Sequence, residues 1–506
     1  MTEFSSPLPD VPLREVTITE ALFEGLARAP ERIVMIDGPS GAAWTGAELM
    51  RQIKALAGGL TARGFGAGHR IALMAPNCPE FAVVFHGVAW AGGTLTTLNP
   101  TYTAPEIRHQ LTDSGAEVLF TIPAFEAVAR EGMVGTECHD LVLLGDWLGA
   151  ELPAQVPVDL DEHIVALPYS SGTTGLPKGV MLSHRNLVVN VDQALAVIRI
   201  VPDETMVAFL PFFHIYGMNV MMNSHLVAGA RLVCMPRFDL AAFLGFVQDH
   251  KVRMVMAVPP VANALAKHPM VDQYDISSLK VLVSAAAPLG AELSNACAAR
   301  IGALTMQGYG MTELSPISHF SNEERAKPGA VGVTVPNTVC KIVDPAGVAL
   351  GVDQEGELWI KGPQVMKGYL NNPAATAASV VDGWLRTGDI ACFDADGQLY
   401  IRDRLKELIK VKGFQVAPAE VEAVLQTYPG VLDAAVIGVP DEEAGEVPMA
   451  FVVVADGVDV AAIATYLRGQ LSSYKQPKVI EIIDTVPKSA SGKILRRVLK
   501  DRVLGK

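Results

Sequence analysis

Short apolar runs alternating with helix-like stretches constrain this chain more than any other feature. IALMA at 71–75, VLFTI at 118–122, MVAFL at 206–210, VRMVMAV at 252–258 and KVLVS at 280–284 are each five to seven residues long. Between them lie segments of helical spacing. Thr45-Gly-Ala-Glu48 reads as a capping box, and Leu49, Ile53, Leu56 and Leu60 follow on one face. A strand that is apolar on both faces must be covered on both, and alternation with helices makes its connections parallel. The pattern therefore predicts an α/β fold of parallel, doubly covered sheets. At 506 residues, half of them hydrophobic, the chain exceeds one ordinary core, so several compact units are expected.

The texture changes twice. From about residue 329, short strands and Gly-rich turns (GAVGVTVPN, GELWIKGPQVMKGYL, DGQLYIRD) predict a small β unit. After Asp403-Arg404 a last region has its own pattern. It predicts a helix at 418–426, strands at 434–439 and 449–454, a helix capped by Asp459, and a strand VIEIID leading to a Gly/Ser/Lys loop at 487–493. The expected division is a large N-terminal domain over 1–405 and a smaller α+β domain over 406–506.

A net charge of −14 excludes an extended nucleic-acid face, which needs clustered Lys and Arg. Anionic ligands remain compatible with it, because a local nest of amides and a few cations can hold phosphate. The six cysteines (78, 138, 234, 297, 340, 392) form no CxxC pair, as in reduced intracellular proteins. No run of eighteen apolar residues predicts a membrane span. With a polar start and no peroxisomal tripeptide at VLGK, a cytoplasmic location is expected.

The most specific local signal is Tyr169-Ser-Ser-Gly-Thr-Thr-Gly-Leu-Pro-Lys-Gly-Val-Met181. Its glycines let backbone amides turn toward an anion, while Ser170, Ser171, Thr173, Thr174 and Lys178 add donors. Pro177 before the lysine, and no Ser or Thr after it, set it apart from a Walker loop. A flexible linker is the plainer reading, but a linker does not run through Pro-Lys-Gly into an apolar strand.

This loop resembles the signature of the adenylate-forming superfamily, which contains acyl- and aryl-CoA synthetases, luciferases and peptide-synthetase adenylation domains. Gln307-Gly-Tyr-Gly-Met-Thr-Glu313, Thr387-Gly-Asp389, Asp403-Arg-Leu-Lys-Glu-Leu-Ile-Lys-Val-Lys-Gly413 and Pro487-Lys-Ser-Ala-Ser-Gly-Lys493 are similar to its later motifs, in the same order. Pro211-Phe-Phe-His-Ile-Tyr216 and Ser284-Ala-Ala-Ala-Pro-Leu-Gly290 bring it nearest to 4-coumarate–CoA ligases and bacterial cinnamate-activating enzymes. The resemblance implies an α/β fold with a large N-terminal domain of stacked αβαβα sheets plus the small β unit, followed by a mobile α+β C-terminal domain. It also implies an ATP-dependent acid–CoA ligase acting on an aryl-propenoic acid through an acyl-AMP, with ATP, Mg²⁺ and coenzyme A as cofactors and co-substrates.

That chemistry drives one anion onto another, so its barrier is electrostatic and positional. Lys493 suits a point charge reaching both carboxylate and α-phosphate. Glu313 suits Mg²⁺. Thr312 can donate to the α-phosphate, Tyr309 offers a face to adenine, and Asp389, supported by Arg404, can accept both ribose hydroxyls. By resemblance, Ser170, Ser171, Gly172, Thr173, Thr174 and Lys178 cradle phosphates. Ala286, Gln307 and Gly308 lie at the nucleotide–substrate seam. Lys406 is the hinge of a mobile C-terminal domain. Lys410 and Gln415 touch adenylate, while Arg237, Lys412 and Gly413 line the coenzyme A path. The lysines at 406, 410 and 412 also read as a solvated amphipathic face.

His214, in an apolar stretch, reads alone as a core histidine; by resemblance it closes the acyl pocket and contacts the carboxylate. Tyr216, Val220, Ala285 and Gly310 are the expected pocket wall. Two departures bear on substrate: Ala285 replaces a glycine of the plant enzymes, and Val220 a serine. The wall is therefore expected to be apolar, with Asn219, Asn223 and His225 as nearby sources of a polar group. Alternatives are a medium- or long-chain fatty acyl-CoA synthetase and a stand-alone enzyme charging a carrier protein. Amino-acid activation would need an acidic anchor that Phe212–Asn223 lacks. Lys493 is a possible acetyltransferase target.

Overall fold

The computed structural model describes residues 2–170, 177–412, 414–441, 443–490 and 492–505. The apolar runs form strands within two residues of where they were expected. Arg70–Met74, Thr94–Thr97, Val118–Thr121, Asp140–Leu143 and Ile164–Ser170 pair in parallel, and Lys178–Ser183 returns antiparallel beside Ile164–Ser170. In a second sheet Met254–Ala257, Val281–Ser284 and Leu304–Gly310 are parallel, followed by antiparallel Ile317–Phe320. Thr205–Ala208, Arg231–Cys234 and Ile33–Asp37 form a further parallel set.

Helices supply the cover. Thr45 accepts from the Glu48 amide at the start of Gly46–Thr61, and Leu49, Ile53, Leu56 and Leu60 are all buried. Pro79–Trp90 is buried all round. Its burial explains an apolar stretch too short and too polar to span a bilayer; among the described residues no helix is long and apolar enough to do so. One continuous core joins both parallel sheets, their helices and the small β unit.

That unit is an antiparallel sheet of Val339–Val343, Gly356–Lys361, Val380–Val381, Trp384–Phe393 and Leu399–Arg404. Phe4–Ser5 completes its edge, with Phe4 stacked on Phe393 at 4.1 Å between ring centres. No local signal announces a strand of two residues paired with residues more than 330 positions away.

Apolar residues from Ile409 onward form two cores of their own, on the two faces of a sheet built from Ile409–Val411, Phe414–Val416, Val431–Asp441, Gly445–Val454 and Val479–Ile482. Helix Val460–Gln470 carries its expected Asp459 cap. Arg496 binds this region together. Its guanidinium bonds both Glu422 oxygens at 2.7 and 2.8 Å, Glu407 Oε2 at 2.7 Å and the Val436 carbonyl at 3.1 Å. Burial pushes the Glu422 carboxyl up to about 6 while the Arg496 charge opposes the rise. Removing the arginine leaves two enclosed carboxylates facing each other. Arg496→Leu should cost about 3–5 kcal/mol, the usual penalty for halving a buried ion pair. Hydrogen exchange in helix Pro418–Thr427 should accelerate accordingly, with the parallel sheets unaffected.

Candidate active site

The strand pair Trp384–Phe393 and Leu399–Arg404 sets Asp389 directly opposite Arg404. Arg404 Nε lies 3.3 Å from Asp389 Oδ1, and the Tyr309 hydroxyl donates to Oδ2 at 2.5 Å. The Asp389 amide is anchored on Thr387 Oγ1 at 3.1 Å. Burial raises the Asp389 carboxyl, and the Arg404 charge and the Tyr309 hydrogen bond hold it down. Each oxygen thus has one partner and at least one lone pair left, as an acceptor of two vicinal hydroxyls needs.

Tyr309 ends strand Leu304–Gly310, whose neighbours are shaped by close approach. A Cβ on Gly310 would stand 2.1 Å from the Pro316 carbonyl oxygen, so only glycine fits. Gly308 faces Phe320. Gln307 accepts the Leu289 amide at 3.0 Å, tying this strand to the 285–290 turn. In that turn Ala286 has φ = +72°, a left-handed conformation costing a non-glycine residue about 1 kcal/mol or more.

Thr312 and Glu313 follow on the short helical turn Thr312–Leu314, both buried. Tyr369 donates to Glu313 Oε1 at 2.8 Å, and the Lys178 ammonium sits 3.9 Å from the centre of the Tyr369 ring. Ser170, paired with Lys178, has a buried hydroxyl without a partner among the described residues. Ser171, Gly172, Thr173, Thr174 and, in the C-terminal region, Gly413 lie outside the described residues.

Lys493 arrives from the other region. Its loop is closed by Ser489 N–H to the Lys493 carbonyl, 2.8 Å, and by Lys493 N–H to Ser489 Oγ, 3.2 Å. Gly492 (φ = +79°) packs against Val258 of the large unit. Burial, then the positive charge of Arg404, lowers the Lys493 ammonium to about 8, with Glu407 and Asp389 opposing. The same lysine, after burial, helps push His214 down to about 4. His214 Nδ1 accepts the Tyr216 amide at 3.3 Å, so the neutral ring carries its proton on Nε2 and presents a donor. One buried cation is therefore within electrostatic reach of both the Asp389–Arg404 pair and a neutral histidine.

After His214 the chain forms a π-helix, Tyr216–Asn223, with the Ser224 amide bonding back five residues to Asn219. Val220, Met218 and Met221 are fully buried. Two of the three expected polar neighbours are spent elsewhere. Asn219 donates to the carbonyls of Ser315 (2.7 Å) and Leu187 (3.3 Å) and accepts from Asn223 (2.9 Å). Asn223 in turn meets His86 Nε2 at 3.2 Å, and His86 Nδ1 meets Thr19. His225 donates Nδ1–H to the Val220 carbonyl at 3.2 Å, and burial holds it near 4 and neutral. Tyr216 Oη and His225 Nε2 keep buried polar atoms without a partner among the described residues. This buried segment thus holds polar atoms that Met, Val and Ala alone do not imply.

Lys406, Lys410, Lys412, Gln415 and Arg237 stand on exposed surface. Lys410 faces Gln415 across the hairpin Ile409–Val411/Phe414–Val416, and Lys412 (φ = +48°) occupies its turn. Sequence reasoning missed Tyr369, gave Glu407 no role although it lies within the 403–413 motif, and read Asn219 only as a spare donor near the pocket. All three act on their neighbours through long-range contacts, which no local pattern announces.

A model of the AMP-binding enzyme family matches residues 22–370, and one of the AMP-binding enzyme C-terminal domain matches 420–493. 4-Coumarate–CoA ligase 5 of Oryza sativa subsp. japonica is 41% identical over 524 residues, covering 99% of this chain and 97% of that protein. 4-Coumarate–CoA ligase 1 of Solanum tuberosum is 42% identical over 530 residues, covering 99% and 96%. Among solved structures, an anthranilate CoA ligase in complex with anthranoyl-AMP superposes with a TM-score of 0.90 at 26% identity, covering 97% of this chain and 98% of that one. The o-succinylbenzoate CoA synthetase of Bacillus subtilis, in complex with its acyl-adenylate intermediate, gives 0.84 at 30% identity over 99% of both. The fold and these matches agree: the chain belongs to the AMP-binding enzyme family.

Proposed function

We propose that this chain is an AMP-forming acid–CoA ligase whose acid is an aryl-propenoate of the cinnamate or 4-coumarate type. The observation that best supports the reaction class is that the largely buried Lys493 lies close enough to feel the charges of Asp389 and Arg404 and to lower the neutral donor His214. A carboxylate oxygen attacks the α-phosphorus of ATP, and the bond to the β-phosphate oxygen breaks, releasing pyrophosphate. Lys493 offsets the charge where the two anions meet, and His214 Nε2–H orients the carboxylate. Asp389 holds the ribose diol, Tyr309 the adenine face, and Thr312 the α-phosphate. The coenzyme A thiol, losing its proton, then attacks the acyl carbon and AMP leaves. Glu313, with Oε2 unbonded among the described residues, fits Mg²⁺, which is commonly held by one or two carboxylates plus phosphates. Bound there, Mg²⁺ would neutralise phosphate charge.

Lys493 fills the path the thiol needs, so residues 406–506 are proposed to rotate as a unit about Lys406 between the two steps. Lys412 and Arg237, already on the surface, then meet coenzyme A together with Gly413. Reduced thiols and supplies of ATP and coenzyme A suit a cytoplasmic setting. Acetylation of Lys493 would remove the charge and silence the first step.

The acid is supported by relatives named 4-coumarate–CoA ligases. A pyrophosphate-release screen over cinnamates, benzoates and graded fatty acids tests it; best activity on a fatty acid would move the enzyme to that class. With Val220 in the wall, cinnamate should be used at least as well as 4-coumarate, since a plain apolar pocket separates such pairs by roughly 10²-fold or less. A coumarate preference of three decades would assign hydroxyl recognition to Tyr216 Oη or His225 Nε2.

Lys493 charged below about 8 and neutral above it gives a direct pH signature. kcat/KM for acyl-AMP formation should fall as pH rises through about 8, and Lys493→Arg should remove that limb while lowering the rate. His214, near 4, adds no limb between pH 5 and 9. A wild-type profile flat to pH 10 would contradict the role given to Lys493.

Lys406→Pro should spare adenylation and block thioester formation. The Lys406 amide donates to no backbone acceptor among the described residues, so proline breaks nothing in this state. It fixes the φ that rotation must change. Wild-type thioester synthesis by the variant would place the hinge elsewhere.

A further inference from the structure

Strand Gly368–Tyr369 pairs antiparallel with Lys178–Ser183, placing Tyr369 opposite Val180 and two residues from Lys178. Its side chain serves two groups at once. The hydroxyl donates to Glu313 Oε1 at 2.8 Å, and the ring face carries the Lys178 ammonium at 3.9 Å. Tyr369 and Glu313 are each only 6% exposed. Each member of the pair is anchored through its backbone: the Tyr369 amide donates to Thr376 Oγ1 at 2.9 Å, and the Glu313 carbonyl accepts the Met366 amide at 2.9 Å.

The choice of a tyrosine has chemical content. A phenol O–H fixes a carboxylate through a charge-assisted bond without adding a competing cation. A ring face holds an ammonium without consuming any of its three N–H donors, which a salt bridge would. Glu313 keeps Oε2 for another partner, and Lys178 keeps all its donors for phosphate.

We propose that Tyr369 is a positioning residue that sets the spacing between Lys178 and Glu313, so that one nucleoside triphosphate and its divalent cation engage both together. This rests on the nucleotide-site reading above. It predicts that the two halves of the tyrosine separate by substitution. Tyr369→Phe keeps the ring and loses the hydroxyl; Tyr369→Leu loses both.

Isothermal titration calorimetry of the full chain with ATP, in Mg²⁺ and in EDTA, reads the difference, and thermal melts report whether each variant folds. Tyr369→Phe should bind ATP in EDTA within twofold of wild type, while the affinity gained on adding Mg²⁺ shrinks about tenfold. Tyr369→Leu should lose about tenfold in EDTA as well. Tyr369→Phe combined with Glu313→Gln should bind no more weakly than Glu313→Gln alone. Should Tyr369→Leu fail to fold, Tyr369→Phe and its double variant still decide. If wild type binds ATP but Tyr369→Phe loses equally in Mg²⁺ and EDTA, or loses nothing, the positioning role is overturned and the nucleotide site stands. If wild type binds no ATP in either buffer, the nucleotide site falls and this inference with it.

Discussion

The hydrogen-bonded register that sets Asp389 opposite Arg404 is the constraint on which the rest of the site depends. A β-ladder fixes cross-strand neighbours to within a fraction of an ångström, and here it does so at the last strand of the large unit. Arg404 is both the partner of Asp389 and the start of the turn that leads away, since the Glu407 and Leu408 amides bond back to its carbonyl. Asp403 beside it accepts the Ala419 amide at 3.0 Å, at the start of helix Pro418–Thr427. The strand that positions the acidic acceptor therefore also aims the C-terminal region, and through Glu407 and Arg496 the loop bearing Lys493.

Charge is distributed unevenly around this pivot. Near Asp389 the groups are ionised and mutually compensating, with burial opposing each one. Behind the acyl segment they are neutral. Burial holds His86 near 3, so Thr19, His86, Asn223, Asn219 and the Ser315 carbonyl form a chain of hydrogen bonds without a formal charge. Such a chain links the first helix, Pro79–Trp90, the π-helix and the turn bearing Glu313. It stabilises the acyl side without adding a field that would compete with the one at Lys493.

Most of the sheet framework was legible in the sequence because its information is local. Runs such as VLFTI and KVLVS are apolar on both faces, and their lengths match strands rather than helices. Several C-terminal elements were legible for the same reason, down to the Asp459 cap, whereas the hairpin Ile409–Val411/Phe414–Val416 and the helix Arg496–Leu504 were not foreseen. Candidate site residues surfaced where chemistry and spacing coincide, as at Glu313, Asp389 and Lys493. Phe4–Ser5, Tyr369 and the ties of Arg496 and Asn219 were not legible. Each acquires its meaning from a partner at least fifty residues away, and no local propensity encodes such a partner. The π-helix was hidden for another reason: GMNVMMN carries no mark that distinguishes four residues per turn from more.

That wider helix has an evolutionary consequence. A π-turn is an α-helix with an added residue, held here by bonds spanning five positions rather than four. Losing one residue within Tyr216–Asn223 would let the coil tighten to an α-helix while both ends stay anchored, so side chains inside the segment would shift by up to roughly 100° about the helix axis. Side chains now on one face would swing away, and their neighbours would replace them. A change of length, and not of residue, would thus repoint this one segment in a single step while the neighbouring sheets stay in place.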